Sequence, residues 1–488
     1  MKPRANGYLS IFMALTMTCI LSLCLVLIEG VRQNTIRLEA ECITDIGLNS
    51  VLAEYHREVL KRYNLFYIDS SYGSAQPTYY KTEARLREYM EKNTSLQEEL
   101  GLLGEKGLLS GIYLNLLEMK FSKVRITGVS LATDNNGYNF QKQAIQAAEN
   151  DIGIGVLDKV LDWVRVVEEK SLLTNRVEEE IASVEEALAQ LRGKQQLKDS
   201  TWVEIPVENP VAGITDKRKN GLLSWVAERI FEISPKEIET NKYISARRSE
   251  GLVNQGNIEG TSSLTVYERL LFQEYLFRYA GNYRNVKEES GLDYQIEYLL
   301  FGKASDKDNL CRAAAAICGL RETANLICLM NSAEKREMIS GVSAVLAAAL
   351  LIPEAAPVFE GIILIAWSCL ESIWDTKALL NGEKIPLLKS DKSWKSDLGS
   401  VLNDEMEAEH QEAEEGLCYE DYLRIFLYFS NLEEITYRFM DVMEMDVRLT
   451  EGNEHFRMDG CIDYLEMEAT AESAYGYTYT LKHAKGYR

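Results

Sequence analysis

YLSIFMALTMTCILSLCLVLI, residues Tyr8 to Ile28, is an apolar stretch without one charged residue. As a helix that rises about 1.5 Å per residue, it is about 30 Å long and matches the hydrocarbon core of a bilayer. Lys2 and Arg4 precede it, and Glu29 follows it directly. The stretch therefore predicts a transmembrane helix that leaves nearly the whole chain on one side of a membrane.

Two cleaved signals are the alternatives to a retained anchor. A secretory signal has an apolar region of about 7–15 residues and small residues before the cut, whereas this stretch is longer and no A-x-A site follows. A lipoprotein signal needs a small residue before the modified cysteine, but Leu23 precedes Cys24 and Thr18 precedes Cys19. We therefore predict a single-pass anchor that is retained in the protein.

The charges that flank the stretch predict its orientation. Lys2 and Arg4 lie in a short tail without acidic residues, whereas Arg32 and Arg37 are mixed with three glutamates. Basic flanks tend to stay in the cytoplasm. We expect a cell-membrane protein with a cytoplasmic N-terminus and an extracellular bulk.

Bulk composition limits the classes of function. The chain has 488 residues, 46% of them hydrophobic, and a net charge of -22. Nucleic-acid binding is disfavoured because phosphates require a basic face. Only eight prolines are present, which favours a mainly helical protein. Nine cysteines without a C-x-x-C pair favour free, buried thiols over disulfides or structural zinc.

The remaining patterns predict an α+β fold that is mainly helical. Apolar residues at helical spacing continue the anchor helix to about Tyr63, and Phe121 to Leu131 reads as a strand that Asp134–Gly137 ends in a turn. CIDYLEMEA and the alternating residues Tyr475 to Leu481 read as a terminal hairpin. Strands so far apart in sequence can form one small antiparallel sheet around a large helical insertion. The predicted segments are a cytoplasmic leader (1–7), a transmembrane helix (8–28), an amphipathic stalk helix (29–64), an α+β head (65–139 and 448–488) and the helical insertion (140–447).

Within the insertion, four patterns define helices. Val156 to Leu197 predicts one or two helices whose 4-3-4-3 spacing fits a short coiled coil or a helical hairpin. Asp306 or Asp308 can cap the helix that follows. Ile339 to Ile373 contains two prolines, so two buried core helices are favoured over a membrane hairpin. Leu417 to Val447 reads as an amphipathic helix.

The search for catalytic and metal-binding patterns gives no candidate residue. The sequence lacks a G-x-x-x-x-G-K-[ST] loop and a G-x-S-x-G elbow, and its four histidines form no spaced metal pair. Asp404 to Glu415 is densely acidic but lacks the spacing of a calcium loop. We therefore predict no catalytic, cofactor or metal site, and no enzyme, although a triad assembled from distant positions stays an alternative.

Two groups of residues are candidates for contacts. Thr16, Thr18 and Ser22 are candidate helix-packing residues, because hydroxyl and small side chains favour association between membrane helices. Tyr475, Tyr477 and Tyr479 alternate along the last predicted strand. Such tyrosines either pack an ordinary sheet or form a subunit contact.

NGYLSIFMALTMTCILSLCLVLIEGVRQN (6–34) resembles the N-terminus of TadE/TadG-like pseudopilins of Tad pilus systems. Those proteins have a short basic leader, a glycine, an apolar helix and an amphipathic stalk that leads to a small α+β head. The resemblance implies a possible leader-processing site between Gly7 and Tyr8, since Gly7 matches the residue before the prepilin-peptidase cut. The sequence departs from the pattern at Phe12, where many pilins carry glutamate. TadG-like proteins often remain uncleaved anchors.

Most of the chain is similar to an uncharacterised bacterial family of large membrane-anchored proteins, found mainly in Gram-positive anaerobes. Four runs carry this resemblance: VSLATDNNGYNFQKQAIQ (129–146), YLLFGKASDKDNL (298–310), IILIAWSCLESIWDTKALLNGEKIPLLKS (362–390) and CIDYLEMEAT (461–470). That family has no established activity, so the resemblance implies no catalytic residue.

Together these features favour a non-enzymatic accessory subunit of a Tad-like pilus or secretion apparatus. Its expected partners are membrane lipid and other proteins of a pilus or envelope assembly, with no nucleic acid and no cofactor. One alternative is a stand-alone cell-surface adhesin or envelope scaffold that shares only the anchor. Another is a membrane-tethered enzyme with an unrecognised site.

Overall fold

The computed structural model describes eleven parts of the chain: residues 6–103, 119–149, 154–173, 176–191, 195–196, 202–203, 233–248, 263–349, 352–390, 393–403 and 416–487. The chain divides into two compact units. The head unit comprises Met1–Gln143, Arg247–Ser263 and Val447–Arg488. The helical unit comprises Ala144–Ala246 and Leu264–Asp446.

Helices make up most of the described chain. They are α1 (Asn6–Leu52), α2 (Arg57–Tyr63), α3 (Tyr79–Leu103), α4 (Asp134–Glu149), α5 (Ile154–Glu169), α6 (Arg176–Leu191), α7 (Ile244–Arg247), α8 (Val266–Tyr279), α9 (Gln295–Phe301), α10 (Asp306–Asn331), α11 (Ala333–Ala349), α12 (Ala356–Asn381), α13 (Leu398–Asn403), α14 (Tyr419–Phe429) and α15 (Leu432–Arg448). Three short 3-10 helices lie at Thr240–Lys242, Pro353–Ala355 and Met458–Gly460.

The strands form one small antiparallel sheet and one short ribbon. They are β1 (Ile68–Asp69), β2 (Met119–Leu131), β3 (Gln195–Gln196), β4 (Trp202–Val203), β5 (Cys461–Ser473) and β6 (Thr478–Gly486). β5 pairs with β2, with β6 and, at its start, with β1, while β3 pairs only with β4. The early strand and the terminal hairpin thus share one sheet, and the predicted fold class is confirmed.

The core of the head unit lies between this sheet and the helices α1 and α3. Side chains on one face of β5 alternate inward, because successive residues of a strand point to opposite faces. The buried apolar residues of this core are Ile36, Ala40, Ile43, Leu48, Val51, Leu52, Ile68, Leu86, Met90, Met119, Val124, Val129, Leu131, Ile462, Leu465, Met467, Ala469, Ala471 and Leu481. The packing therefore joins the N-terminal helix to strands at the far end of the sequence.

α1 ends at Leu52, so the prediction of one continuous helix to about Tyr63 is wrong at its C-terminal end. His56 starts a new helix, because its Nδ1 accepts a hydrogen bond from the Val59 amide at 3.3 Å. Its Nε2 lies 3.0 Å from Asn453 Oδ1, and burial lowers the pKa of the imidazole. Ile46, predicted to lie on the apolar face of this helix, is exposed.

The predicted turn after β2 is present between strand and helix. Asn135, Asn136 and Gly137 all have positive φ, between 54° and 79°, which short polar residues and glycine tolerate best. Asp134 Oδ2 accepts a hydrogen bond from the Leu131 amide at 2.8 Å. The carboxylate thereby ends the strand and allows helix to resume near Phe140.

The helical unit packs around α10 and α12, which contact each other along their length. Two helices, α5 and α6, occupy the region predicted to hold one or two, and α6 packs against α12 within the same unit. Most side chains of the predicted 4-3-4-3 seam lie outside the described residues. The acidic run Asp404 to Glu415 also lies outside them.

Two predictions of helix boundaries in this unit are wrong. Ser305 caps α10, because its hydroxyl accepts a hydrogen bond from the Asp308 amide at 3.1 Å. Asp306 is buried instead, where it accepts hydrogen bonds from the Ser234 hydroxyl at 2.6 Å and the Asp293 amide at 2.9 Å. The predicted helix from Leu417 to Val447 is two helices, α14 and α15, with a break at residues 430–431.

Three helices in the described parts of the chain are long and apolar enough to cross a membrane. In Tyr8–Leu52, none of the most apolar 18-residue stretch is buried. In Asp306–Asn331 and in Pro353–Asn381, 67% of the corresponding stretch is buried. The second apolar zone, Ile339 to Ile373, holds the end of α11 and most of α12, joined at the prolines. α12 is largely buried, as expected of a core helix.

Candidate functional site

The N-terminal helix α1 has two halves with opposite surroundings. Its large apolar side chains from Tyr8 to Val31 are exposed, whereas Ile36, Ala40 and Ile43 are buried. The helix has 47 residues, so it extends for about 70 Å, of which the exposed apolar part is about half. A single helix thus presents a bare apolar rod at one end and a packed core element at the other.

The packed half is held by close contact with α3 and the sheet. Gly47 permits the approach of α3, because a Cβ at this position would lie 2.7 Å from Met90 Cγ. Burial of each large apolar side chain contributes at most about 1.5–3 kcal/mol. Several such side chains along the stalk make this half of α1 a permanent part of the head unit.

β6 runs beside α1 for the whole length of the packed half. The phenol of Tyr477 donates to the Glu29 carboxylate, and at the other end the phenol of Tyr487 donates to the Leu52 carbonyl. Between them, Tyr479 Oη donates to the Gln33 carbonyl at 3.2 Å. From Glu29 to Leu52 a helix rises about 35 Å, and from Tyr477 to Tyr487 a strand rises about 33 Å. The two segments therefore have nearly the same length, which lets contacts form at both ends.

Tyr475, Tyr477 and Tyr479, which we call the tyrosine collar, contact α1 from the side of β6 where its apolar part ends. Arg32 lies with its guanidinium carbon 4.3 Å from the centre of the Tyr475 ring, a cation–π contact. The same guanidinium forms an ion pair with Glu29 at 2.8 Å. The residues of α1 that the three tyrosines contact, Glu29, Arg32 and Gln33, therefore lie within about one helical turn of one another.

The turn between β5 and β6 fixes the collar in place. The Gly476 amide donates to the Ser473 carbonyl at 2.9 Å, and the Ser473 amide donates to the Tyr477 carbonyl at 2.8 Å. Gly476 has a φ of 83°, the left-handed conformation that closes hairpins with a three-residue loop. This geometry turns Tyr475 toward Arg32 at the tip of the hairpin.

The three candidate helix-packing residues do not share one face. Thr18 and Ser22 are four residues apart and lie on the same side of α1, together with Ala14, whereas Thr16 projects from another side. Each hydroxyl already donates to a carbonyl of its own helix: Thr16 to Phe12 and Met13 at 3.0 Å, Thr18 to Ala14, and Ser22 to Cys19 at 2.8 Å. What remains for contact is a stripe of small side chains, Ala14, Thr18 and Ser22.

Gly7 and Tyr8, the possible leader-processing site, both lie within α1, which begins at Asn6. Tyr8 is exposed. The basic residues Lys2 and Arg4 lie outside the described residues. A peptidase that cuts between Gly7 and Tyr8 would therefore act in the first turn of the helix.

All nine cysteines are free thiols. Cys318, Cys369 and Cys461 are buried, as expected of small apolar side chains, whereas Cys311 is exposed. Cys19, Cys24 and Cys42 are exposed along α1. The apolar half of α1 therefore carries two exposed thiols and the packed half carries one.

The helical unit contains a buried network of charges. Arg321 and Asp375 are both 0% exposed and form an ion pair at 2.9 Å. Lys389 lies 2.6 Å from Asp375 Oδ1 and also pairs with Glu371. Burial alone would raise the pKa of Asp375, but Arg321 and Lys389 hold that pKa below its usual value.

Arg321 also donates hydrogen bonds to backbone carbonyls that lie outside the helices and strands. Its Nη1 donates to the Pro386 and Leu387 carbonyls at 2.9 Å and 2.7 Å. Its Nη2 donates to Asn325 Oδ1 at 3.0 Å. The guanidinium therefore fixes the segment after α12 against α10.

Another buried carboxyl group, that of Glu297, lies on α9. Its Oε1 accepts hydrogen bonds from the Tyr283 amide at 3.0 Å and the Tyr419 hydroxyl at 2.7 Å. Burial raises the pKa of Glu297 to about 7, although these two donors oppose the shift. Among the residues that the structure describes, no group of three or more histidine, cysteine or acidic side chains could hold a metal ion.

Sequence reasoning missed the contacts that join the two ends of the chain. The sequence presents Glu29 and Arg32 as flanking charges, and it presents the tyrosines as sheet packing or a subunit contact, so neither pattern predicts a contact within the chain. A signal was present, because an acidic residue directly after a membrane helix needs a partner or water, and alternate tyrosines offer hydroxyls at strand spacing. The partner itself could not be read from either segment alone.

No curated protein and no solved structure matches the chain. Residues 200–473 match the family described as "Family of unknown function (DUF5702)", which is more than half of the chain. The match includes the runs at 298–310, 362–390 and 461–470, whereas the run at 129–146 lies outside it. The protein belongs to the DUF5702 family of unknown function.

Proposed function

We propose that the protein is a non-enzymatic, single-pass membrane protein that acts as a pseudopilin-like accessory subunit of a Tad-like pilus or secretion apparatus. The observation that carries this proposal is the division of α1 into an exposed apolar half and a half packed under an antiparallel sheet. The resemblance of residues 6–34 to TadE/TadG-like proteins supports the same reading.

In this function α1 holds the protein in the cell membrane, with its N-terminus in the cytoplasm and the head and helical units outside. The apolar half would contact lipid and the corresponding helices of other subunits. Close packing drives association between membrane helices, since lipid tails are as apolar as the helices themselves. The stripe Ala14, Thr18 and Ser22 offers the small side chains that such packing needs.

Cross-linking in native membranes tests the proposal. A cross-linker that joins a maleimide to a photoreactive diazirine, attached at Cys19 or Cys24 and irradiated, should capture the N-terminal apolar helix of a second pilus-type subunit, which mass spectrometry of the linked peptides identifies. Thr18→Leu should abolish capture because it enlarges the small stripe, whereas the matched Thr16→Leu, on another side, should leave capture intact. Linked peptides without any such partner helix would refute the assembly role.

A second candidate function is a stand-alone surface adhesin or envelope scaffold, favoured by Phe12, which is exposed where many pilins carry glutamate. N-terminal sequencing of the mature protein separates the two. A start at Tyr8 means pilin-type processing and agrees with extraction into a fibre. An intact leader combined with no captured partner helix supports the scaffold.

A further inference from the structure

The tip of the β5–β6 hairpin lies beside the point where the apolar half of α1 ends. Tyr475 stacks on Arg32, which is three residues beyond Glu29, the first charged residue after the apolar stretch. Three residues of helix rise about 4.5 Å. The rest of the sheet leads away from this point, because β6 follows α1 toward Leu52.

We propose that this tip, residues 473–477, rests in the phospholipid headgroup layer of the membrane that holds α1, with Tyr475 inserted among the headgroups. The proposal rests on the membrane insertion of α1 that the proposed function includes. The headgroup layer on each side of the hydrocarbon core is about 5–7 Å thick. An offset of about 4.5 Å therefore keeps the Tyr475 ring inside that layer when Glu29 lies at its inner edge.

The chemistry of the tip fits this environment. Tyr475 is 40% exposed although one side of its ring faces Arg32, so an amphipathic ring surface remains open. Tyrosines are enriched at membrane interfaces, where the ring meets acyl chains and the hydroxyl meets headgroups. Lys120, exposed at the same end of the sheet opposite Glu472, adds a cation that can reach lipid phosphate.

The opposite end of the sheet supplies a control residue. Tyr80 is 77% exposed and lies near the start of β5, because the adjacent Thr78 amide donates to Ser70, and Ser70 in turn bonds to Gly460. β5 has 13 residues, so this end lies about 40 Å along the strand from the turn. A tyrosine at that distance is beyond the reach of headgroups.

Photo-cross-linking in nanodiscs of phosphatidylcholine and phosphatidylglycerol tests the inference on the full chain. Benzoylphenylalanine replaces either Tyr475 or Tyr80, and mass spectrometry measures lipid adducts after irradiation. We expect several-fold more lipid adduct at position 475 than at position 80. A photo-reactive residue in place of Lys120 repeats the test if the Tyr475 variant does not fold, as judged by its circular dichroism spectrum.

Labelling of the cysteines with a membrane-impermeant maleimide separates failure of this inference from failure of the proposed function. With α1 inserted, Cys42 should react while Cys19 and Cys24 stay protected. If Cys19 and Cys24 are protected, three results would overturn the headgroup contact and leave the membrane anchor supported. They are no lipid adduct at position 475, equal lipid adducts at positions 475 and 80, and a protein adduct at position 475. Reaction of Cys19 and Cys24 would overturn both.

Discussion

The phenol of Tyr477 donates a hydrogen bond to the carboxylate of Glu29, 448 residues earlier in the chain. Tyr477→Phe removes the donor and keeps the ring, and the half-exposed Glu29 regains water. We expect the free energy of local unfolding to fall by about 1 kcal/mol, which corresponds to about fivefold faster amide exchange in residues 474–487. Mass spectrometry of hydrogen exchange measures it. Tyr80→Phe, at an exposed ring, should leave exchange unchanged, and equal effects of the two variants would contradict a specific role for this bond.

Two glycines of α1 have opposite surroundings. A Cβ at Gly47 would lie 2.7 Å from Met90 Cγ, whereas a Cβ at Gly30 would meet nothing within 4 Å. Gly47→Val should overpack the contact with α3 and cost about 1–3 kcal/mol. Gly30→Val should be neutral or slightly stabilising, since valine has a better helix propensity than glycine. Hydrogen exchange in residues 36–52 and 79–90 reports the difference, and similar protection in both variants would refute the close approach of α3.

Removal of the buried guanidinium should destabilise the helical unit strongly. Arg321→Leu removes the guanidinium that pairs with Asp375 and donates to two backbone carbonyls. We therefore expect the free energy of unfolding to fall by about 3–5 kcal/mol. Arg312 is exposed on the same helix, and Arg312→Leu should change stability by less than about 0.5 kcal/mol. All six tryptophans belong to the helical unit, so their fluorescence during urea unfolding reports this unit alone. A mild effect of Arg321→Leu would show that the network is open to water.

Glu297 should make the stability of the helical unit depend on pH. Its pKa is about 7 in the folded protein against 4.5 in the unfolded chain, so unfolding releases a proton between these values. Stability therefore falls as pH rises from 4.5 to 7, and the full penalty, up to about 3 kcal/mol, applies above pH 7. Glu297→Gln keeps an oxygen for Tyr283 and Tyr419 and carries no such penalty.

Urea unfolding of both proteins followed by tryptophan fluorescence measures this effect. The stability of Glu297→Gln relative to the parent protein should rise between pH 5 and pH 8. Glu288→Gln, at an exposed carboxylate of the same unit, serves as the control and should give a flat difference. A flat difference for Glu297→Gln as well would mean that the carboxyl group is hydrated in the folded protein.

The fold class could be predicted because its signals are long and periodic. Twenty-one uncharged residues, the β-rich run from Phe121 to Leu131 and the alternation from Cys461 to Leu481 each identify one type of element. The sequence predicted that strands far apart in the chain form one sheet, and β2 does pair with β5, but the register of that pairing was not predicted. The anchor helix is present as a long apolar helix, whereas its orientation and its partners stay predictions.

Helix boundaries could not be predicted as well, because single side chains decide them. His56 ends the stalk by capping α2, Ser305 replaces the predicted caps of α10, and Asn431 starts α15 by accepting the Glu433 amide at 2.9 Å. Serine and asparagine also occur inside helices of this chain, as at Ser368 and Asn325. The contact between Glu29 and Tyr477 could not be predicted for a related reason: each segment shows a group that can form a hydrogen bond, but neither identifies its partner.

The pairing of β6 with α1 sets the order in which the molecule can be completed. Synthesis proceeds at about 5–20 residues per second, so roughly 20–90 s separate the appearance of Glu29 from that of Tyr477. During that interval Ile36 and Ile43 have no sheet to cover them, while the whole helical unit is being made. A chain interrupted anywhere within that unit lacks β5 and β6, so only α3 and β2 are present to cover the apolar face of the stalk. β5 and β6 thus cover apolar residues of α1 that a chain lacking them would leave exposed.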